Sequence, residues 1–210
     1  RLSTLVSFES LKLAAGVVLL SPYMPLLFMG EEYGEESPFL YFISHSDPAL
    51  IEAVRQGRKT EFHNFSWKEE PPDPQSVETF LKSKIDWEKR NKDRHKVLMD
   101  FYKHLITLRK TIPALSHLDK KSLCVYGLEE EKIIFMKRWK NSNHVFLIFN
   151  FNSTDVKITP SISEGVWNKV LDSSEKKWNG TGSLLKYELT SCDEIIIRGH
   201  SLVMYNIKKP

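Results

Sequence analysis

Residues 23–36 read YMPLLFMGEEYGEE, and the fold depends on what that stretch becomes. An apolar run, Met24 to Met29, gives way abruptly to Gly30-Glu31-Glu32-Tyr33-Gly34-Glu35-Glu36. A strand buried on both faces shows no alternation, as in a parallel sheet, so 24–29 predicts such a strand. Parallel sheets gather their chemistry beyond the carboxyl ends of the strands. This sequence places four carboxylates within six residues at that end. Like charges at that density repel. The cluster is therefore either a solvated acidic loop behind a core strand or a site whose ligand satisfies it.

Upstream, residues 3–20 predict a helix capped by Ser3 or Thr4. Its second half, LAAGVVLL, is apolar all round, which fits a helix buried on most sides. Ser21-Pro22 stops it. Helix, short loop and buried strand form the repeat of an α/β protein. Downstream, Phe39 to Ser44 is an aromatic, β-branched run. Asp47-Pro48 predicts a helix start, with Asp47 as N-cap and proline at the first position. Gly57 is the predicted stop. Residues 60–93 carry little periodicity. EEPPDPQ (69–75) reads as a stiff connector, Ser76 as the cap of a short helix, and Trp67 and Trp87 as packing anchors. His95 to Thr111 predicts the clearest helix, with Val97, Phe101, Leu105 and Leu108 on one stripe and Ile112-Pro113 closing it.

From about residue 118 the period changes. Runs at 123–126, 133–139, 145–151, 156–159, 166–171, 184–189, 194–198 and 202–207 alternate or are β-rich, with turn signals between them. They predict an antiparallel sandwich over 118–210 that folds by itself, after an α/β portion over 1–117.

Composition narrows the classes of function. The 210 residues are 27 % charged and 41 % hydrophobic with a net charge of +3, and no basic block stands out. Nucleic-acid binding has no electrostatic support. The longest apolar stretch, Leu13 to Leu20, is too short to span a bilayer. Two cysteines, Cys124 and Cys192, lie outside any CxxC spacing and read as buried free thiols in a reducing cytoplasm. The first residue is arginine and the helical pattern begins within a few positions, which suggests a piece of a longer protein.

The order of parts carries a resemblance. A buried helix, LLFMGEEYG, an irregular insert, an amphipathic helix ending LRKTIPAL, and then a β region resembles the end of an α-amylase-superfamily enzyme. Residues 1–62, with PPDPQSVETF and KIDW, are similar to the malto-oligosyltrehalose trehalohydrolase branch. The resemblance implies the C-terminal part of a (β/α)8 TIM barrel followed by an antiparallel β-sandwich. Residues 2–20 would be its seventh helix, 24–29 its eighth strand and 95–111 its eighth helix. It also implies retaining hydrolysis of the α-1,4 bond next to a terminal trehalose, with free trehalose released and no metal or organic cofactor. The catalytic carboxylates of the family would lie before Arg1, so this chain supplies none and would be inactive alone. Its partners would be a maltooligosaccharide or glucan and the upstream part of its own barrel, with no nucleic acid and no membrane.

Within the chain, the expected substrate contacts are Glu31 and Glu32 as acceptors of sugar hydroxyls, Tyr33 and Phe39 as stacking platforms, and His45 on the same loop region. Each also has a structural reading: a loop-bracing salt bridge for the carboxylates, core packing for the aromatics, and a satisfied structural role for the histidine. Two other functions stay open. One is a glycogen-branching or debranching enzyme of the same superfamily, and the other is a non-catalytic β module that binds glucan.

Overall fold

The computed structural model describes residues 1–64 and 71–208; Trp67 and residues 69–70 of the connector lie outside them. The chain forms two compact units, Glu35–Trp87 with Arg1, and Leu2–Gly34 with Glu88–Pro210. The helices are α1 (Phe8–Leu20), α2 (Pro48–Asn64), α3 (Val77–Ser83), α4 (Asp93–Thr111) and the single turn α5 (Pro113–Ser116). The strands are β1 (Leu123–Leu128), β2 (Ile133–Lys140), β3 (Asn143–Asn150), β4 (Val156–Ile158), β5 (Trp167–Asp172), β6 (Glu188–Leu189), β7 (Ile195–Ile197) and β8 (Ser201–Lys208).

In the larger unit, Ser7 rather than Ser3 or Thr4 caps α1, accepting from the Ser10 backbone N–H at 3.2 Å. Leu2–Thr4 form a separate 3₁₀ turn. Six strands make one antiparallel sheet in the order β1-β2-β3-β8-β5-β6, and β4 pairs with β7 in a second. Phe135, Phe146, Ile148, Val203 and Tyr205 meet Val156, Ile158, Ile195 and Ile197 of the small sheet, which completes the predicted sandwich. Met136, Val145, Leu147, Phe149, Leu171, Leu202 and Met204 point to the opposite face. There they meet Leu13, Ala15, Leu19 and Leu20 of α1 and Leu98, Phe101 and Leu105 of α4. At Gly16 a Cβ would overlap the Leu202 side chain, so glycine allows α1 its closest approach to β8.

The change of pattern at residue 118 is therefore a change of secondary structure and not the edge of a compact unit. Two buried cations reinforce the shared core. Lys12 of α1 donates through Nζ to the carbonyls of Ser173 and Trp178, both at 2.8 Å. Arg138 of β2 donates to Leu20 O at 2.6 Å, Leu115 O at 3.1 Å and His117 O at 2.8 Å. Burial, with the Arg109 charge nearby, pushes the Arg138 pKa down to about 10.

Residues 24–29 form no strand. Met24 is 81 % and Leu26 92 % exposed, and among the described residues no strand pairs with them. A strand exists through its ladder partners, and every described strand of this unit pairs elsewhere. The extended segment is fixed at its start by Arg109, which donates to Ser21 O at 2.7 Å and Tyr23 O at 2.6 Å. Leu27 alone packs partly against the core. Both thiols are free and exposed rather than buried. Cys124 lies on β1, the sheet's edge strand, where one side of the strand stays open to water.

In the smaller unit, Asp47 Oδ1 accepts from Ala49 N at 2.8 Å and Leu50 N at 3.4 Å, the predicted cap of α2. Gly57 does not end that helix, which continues to Asn64. A glycine terminates a helix by taking a left-handed φ, and Gly57 does not take one. Ser76 caps α3, accepting from Glu78 N at 3.2 Å. Arg55 grips Asp73 with two hydrogen bonds, 2.9 and 2.8 Å, which fasten α2 to the proline-rich connector. Phe39–Ser44 is not a strand; Ile43 N donates to Pro74 O at 2.8 Å.

Candidate functional site

The acidic stretch becomes a tight turn followed by a buried brace. Gly30 takes φ 83° and Gly34 φ 71°, left-handed conformations that bound the 3₁₀ turn Glu31–Tyr33. The turn closes through Glu31 N to Phe28 O at 2.9 Å and Gly34 N to Glu31 O at 3.0 Å. Both carboxylate oxygens of Glu31 are engaged: Oε2 accepts from Phe28 N at 3.1 Å, and Oε1 accepts from the Tyr102 hydroxyl at 3.0 Å. Burial raises the Tyr102 pKa strongly, and the Glu31 charge and its hydrogen bond raise it further, so this phenol stays a donor at any ordinary pH. Glu31 thus braces the turn through both of its oxygens.

Tyr33 corrects an expectation, because its side chain is fully buried and offers no face for stacking. Its carbonyl lies 2.8 Å from His95 Nδ1. A carbonyl only accepts, so Nδ1 carries the proton in this bond. The void beside Tyr33, lined in part by Ser3, Phe8, His95 and Leu98, is about 10 Å³, which leaves no room for a sugar ring. Glu32 differs from both neighbours. It is half-buried and makes no hydrogen bond or ion pair among the described residues. A carboxylate so placed is an acceptor available to a ligand.

The remaining expected contacts belong to the smaller unit. Glu35 is 1 % exposed and organises its loop; Oε1 accepts from Glu36 N at 2.8 Å and Ser37 N at 2.9 Å, and Oε2 accepts from Asp86 N at 2.6 Å. Phe39 is 54 % exposed and meets Phe42 edge-on at 6.3 Å; Phe42 meets Phe80 at 5.2 Å. Beside them lies a cleft of about 450 Å³ lined by Phe42, Ser44, Gln75, Ser76 and Phe80, within the size range of small-molecule sites. His45 is exposed, and the Gln75 side chain brackets its backbone: Oε1 accepts from His45 N at 3.3 Å and Nε2 donates to His45 O at 3.0 Å. Trp87 is half-exposed rather than a buried anchor. Thus Glu31, Glu32 and Tyr33 share one turn of the larger unit, while Phe39 and His45 sit with the aromatic cleft of the smaller one. Sequence reasoning missed Tyr102 and Glu35 as organisers. A tyrosine on an apolar helical stripe signals a buried hydroxyl in need of a partner, whereas nothing local distinguishes Glu35 from the other three glutamates.

No protein-family model matches the chain. Seven curated relatives do, all malto-oligosyltrehalose trehalohydrolases. That of Rhizobium sp. strain M-11 is 39 % identical over 150 residues, 71 % of this chain and 25 % of the relative. That of Saccharolobus solfataricus is 51 % identical over 110 residues, 52 % of this chain and 18 % of the relative. The crystal structure of a candidate alpha amylase from Salmonella typhimurium is 30 % identical over 99 % of this chain and 32 % of that one, with a TM-score of 0.75. The chain is similar to these trehalohydrolases and to the Salmonella structure. It spans about a quarter of the length of the first of these relatives. The likeness to the Salmonella structure extends over the helices and the antiparallel sandwich alike. The resemblance to trehalohydrolases covers more than half of the chain in either comparison.

Proposed function

We propose that this chain is part of a retaining glycoside hydrolase that cleaves the α-1,4 bond next to the terminal trehalose of maltooligosyltrehalose and releases trehalose. The observation that carries the reading is the 39–51 % identity to trehalohydrolases of the two relatives above. Retaining hydrolysis needs a nucleophile and an acid/base carboxyl about 5 Å apart. Glu31 and Glu35 in the acidic stretch are each committed to hydrogen bonds that hold the backbone. The resemblance implies that the catalytic pair comes from other parts of a longer enzyme and that this chain contributes substrate contacts. Glu32 accepts sugar hydroxyls, and Phe39 with its aromatic neighbours and His45 forms a surface for pyranose rings. The exposed run Met24–Met29 pairs with upstream strands of the same barrel. Exposed free thiols fit a reducing cytoplasm. Among the described residues no helix is long and apolar enough to cross a membrane.

The test is to assay the full-length enzyme on maltotriosyltrehalose and, in parallel, for branch formation and debranching on glycogen. Trehalose release by the full-length enzyme and none by residues 1–210 is the expected pair of results. Branching or debranching without trehalose release would move the chain to the other enzyme class. Trehalose release by residues 1–210 alone would overturn the placement of the catalytic pair.

A further inference from the structure

The acidic turn is gripped from one helix. His95, Leu98 and Tyr102 stand at i, i+3 and i+7 on α4, one face of a helix. His95 holds the Tyr33 carbonyl, and Tyr102 holds the Glu31 carboxylate. Leu98 packs so close to Gly34 that a Cβ there would come within 3.1 Å of it. A 3₁₀ turn has three residues per turn, so its successive side chains point in three directions. With Glu31 and Tyr33 fixed to α4, the direction left to Glu32 is determined. We propose that this face of α4 aims Glu32, and that Tyr102 is a positioning residue acting through Glu31. The inference rests on the reading of Glu32 as a sugar acceptor, but the hold of α4 on the turn is measurable without it.

Tyr102→Phe removes one hydroxyl and nothing else. A hydrogen bond to a charged group contributes about 1.5–3 kcal/mol, so amide exchange across residues 28–34 of this chain is expected to speed up at least about tenfold. In the full-length enzyme kcat/KM on maltotriosyltrehalose is expected to fall by about tenfold, and not to fall further when Tyr102→Phe is added to Glu32→Gln. Glu31→Gln, which places an amide N–H against one of the two donors, should reproduce both effects if Tyr102→Phe folds poorly. Unchanged exchange across 28–34 in both variants overturns the proposal. So does an equal loss of kcat/KM with and without Glu32→Gln, since Tyr102 would then act by another route. A Glu32→Gln enzyme with full activity would instead sink the reading of Glu32 as a sugar contact, while the exchange data still decide whether α4 holds the turn.

Discussion

Two apolar runs in the larger unit look alike in sequence and end in opposite environments. Val145-Phe146-Leu147-Ile148-Phe149 lies in β3, between β2 and β8, and every residue of it is at most 3 % exposed. Val145, Leu147 and Phe149 enter the core under the helices; Phe146 and Ile148 enter the core of the sandwich. Met24 to Met29 has the same uniform apolarity, yet Met24, Leu26, Phe28 and Met29 are all exposed. A run without alternation reports that both faces of a strand are suited to burial. It does not supply the neighbours, and a sheet is made of pairs. β3 has a partner on each side: β2, which a tight turn brings back beside it, and β8, which returns from the far end of the chain with Ser201 opposite Asn150. Met24–Met29 finds no ladder partner among the described residues.

The largest test of this comparison is to remove the cover from β3. A piece spanning 118–210 keeps all eight strands but loses α1, α4 and α5. Met136, Val145, Leu147, Phe149, Leu171, Leu202 and Met204 then face water. At about 1.5–3 kcal/mol for each side chain, the loss is on the order of 10 kcal/mol, as large as the whole stability of a typical domain. We expect poorly dispersed amide resonances and dye binding to exposed apolar surface, with regular secondary structure partly kept. A well-dispersed spectrum with a cooperative melt would show that the sandwich core alone suffices.

The next test works residue by residue. Leu147→Ala should cost about 2–5 kcal/mol, the usual range for a buried leucine, while Leu26→Ala should change the stability of this chain by no more than about 0.5 kcal/mol. Denaturant melts of the two variants measure the contrast directly. If Leu26→Ala proves as costly as Leu147→Ala, the segment is packed in solution and the comparison fails.

The same division between local signal and environment explains what could be read from the sequence. All eight strands were legible because alternating or β-rich runs and the turn signals between them are local properties. The stripe of α4 and the caps at Asp47 and Ser76 were legible for the same reason. What escaped was set by partners distant in sequence. Tyr33 was expected at a surface and is buried because α4 and the first turn of the chain close over it. Glu31 accepts from Phe28 N and from the hydroxyl of Tyr102, 71 positions away, a bond that no local pattern announces. The core shared across residue 118 depends on Lys12 and Arg138 reaching carbonyls 118–166 positions off. Of the candidate site, Glu32, Phe39 and His45 keep the exposure that a ligand contact requires.

Glycines give the smallest and most specific form of the contrast. Gly16 and Gly57 both lie inside helices, and alanine is preferred to glycine in a helix by about 0.8–1.0 kcal/mol. At Gly57 nothing lies within 4 Å of where a Cβ would stand. The φ there is not left-handed, so alanine fits without strain. Gly57→Ala should therefore stabilise its unit by about 0.5–1 kcal/mol through helix preference and a less flexible unfolded chain. At Gly16 the same propensity gain is opposed by overlap with Leu202, which is fully buried and has no solvent to move into. Overpacking a filled core costs about 1–3 kcal/mol, which exceeds the gain, so Gly16→Ala should destabilise. Thermal melts of the two variants should thus shift in opposite directions, by a few degrees at most. If Gly16→Ala were also stabilising, α1 would have to ride further from β8 than the contact with Leu202 implies, and the tight cover over β3 would be looser than its burial indicates.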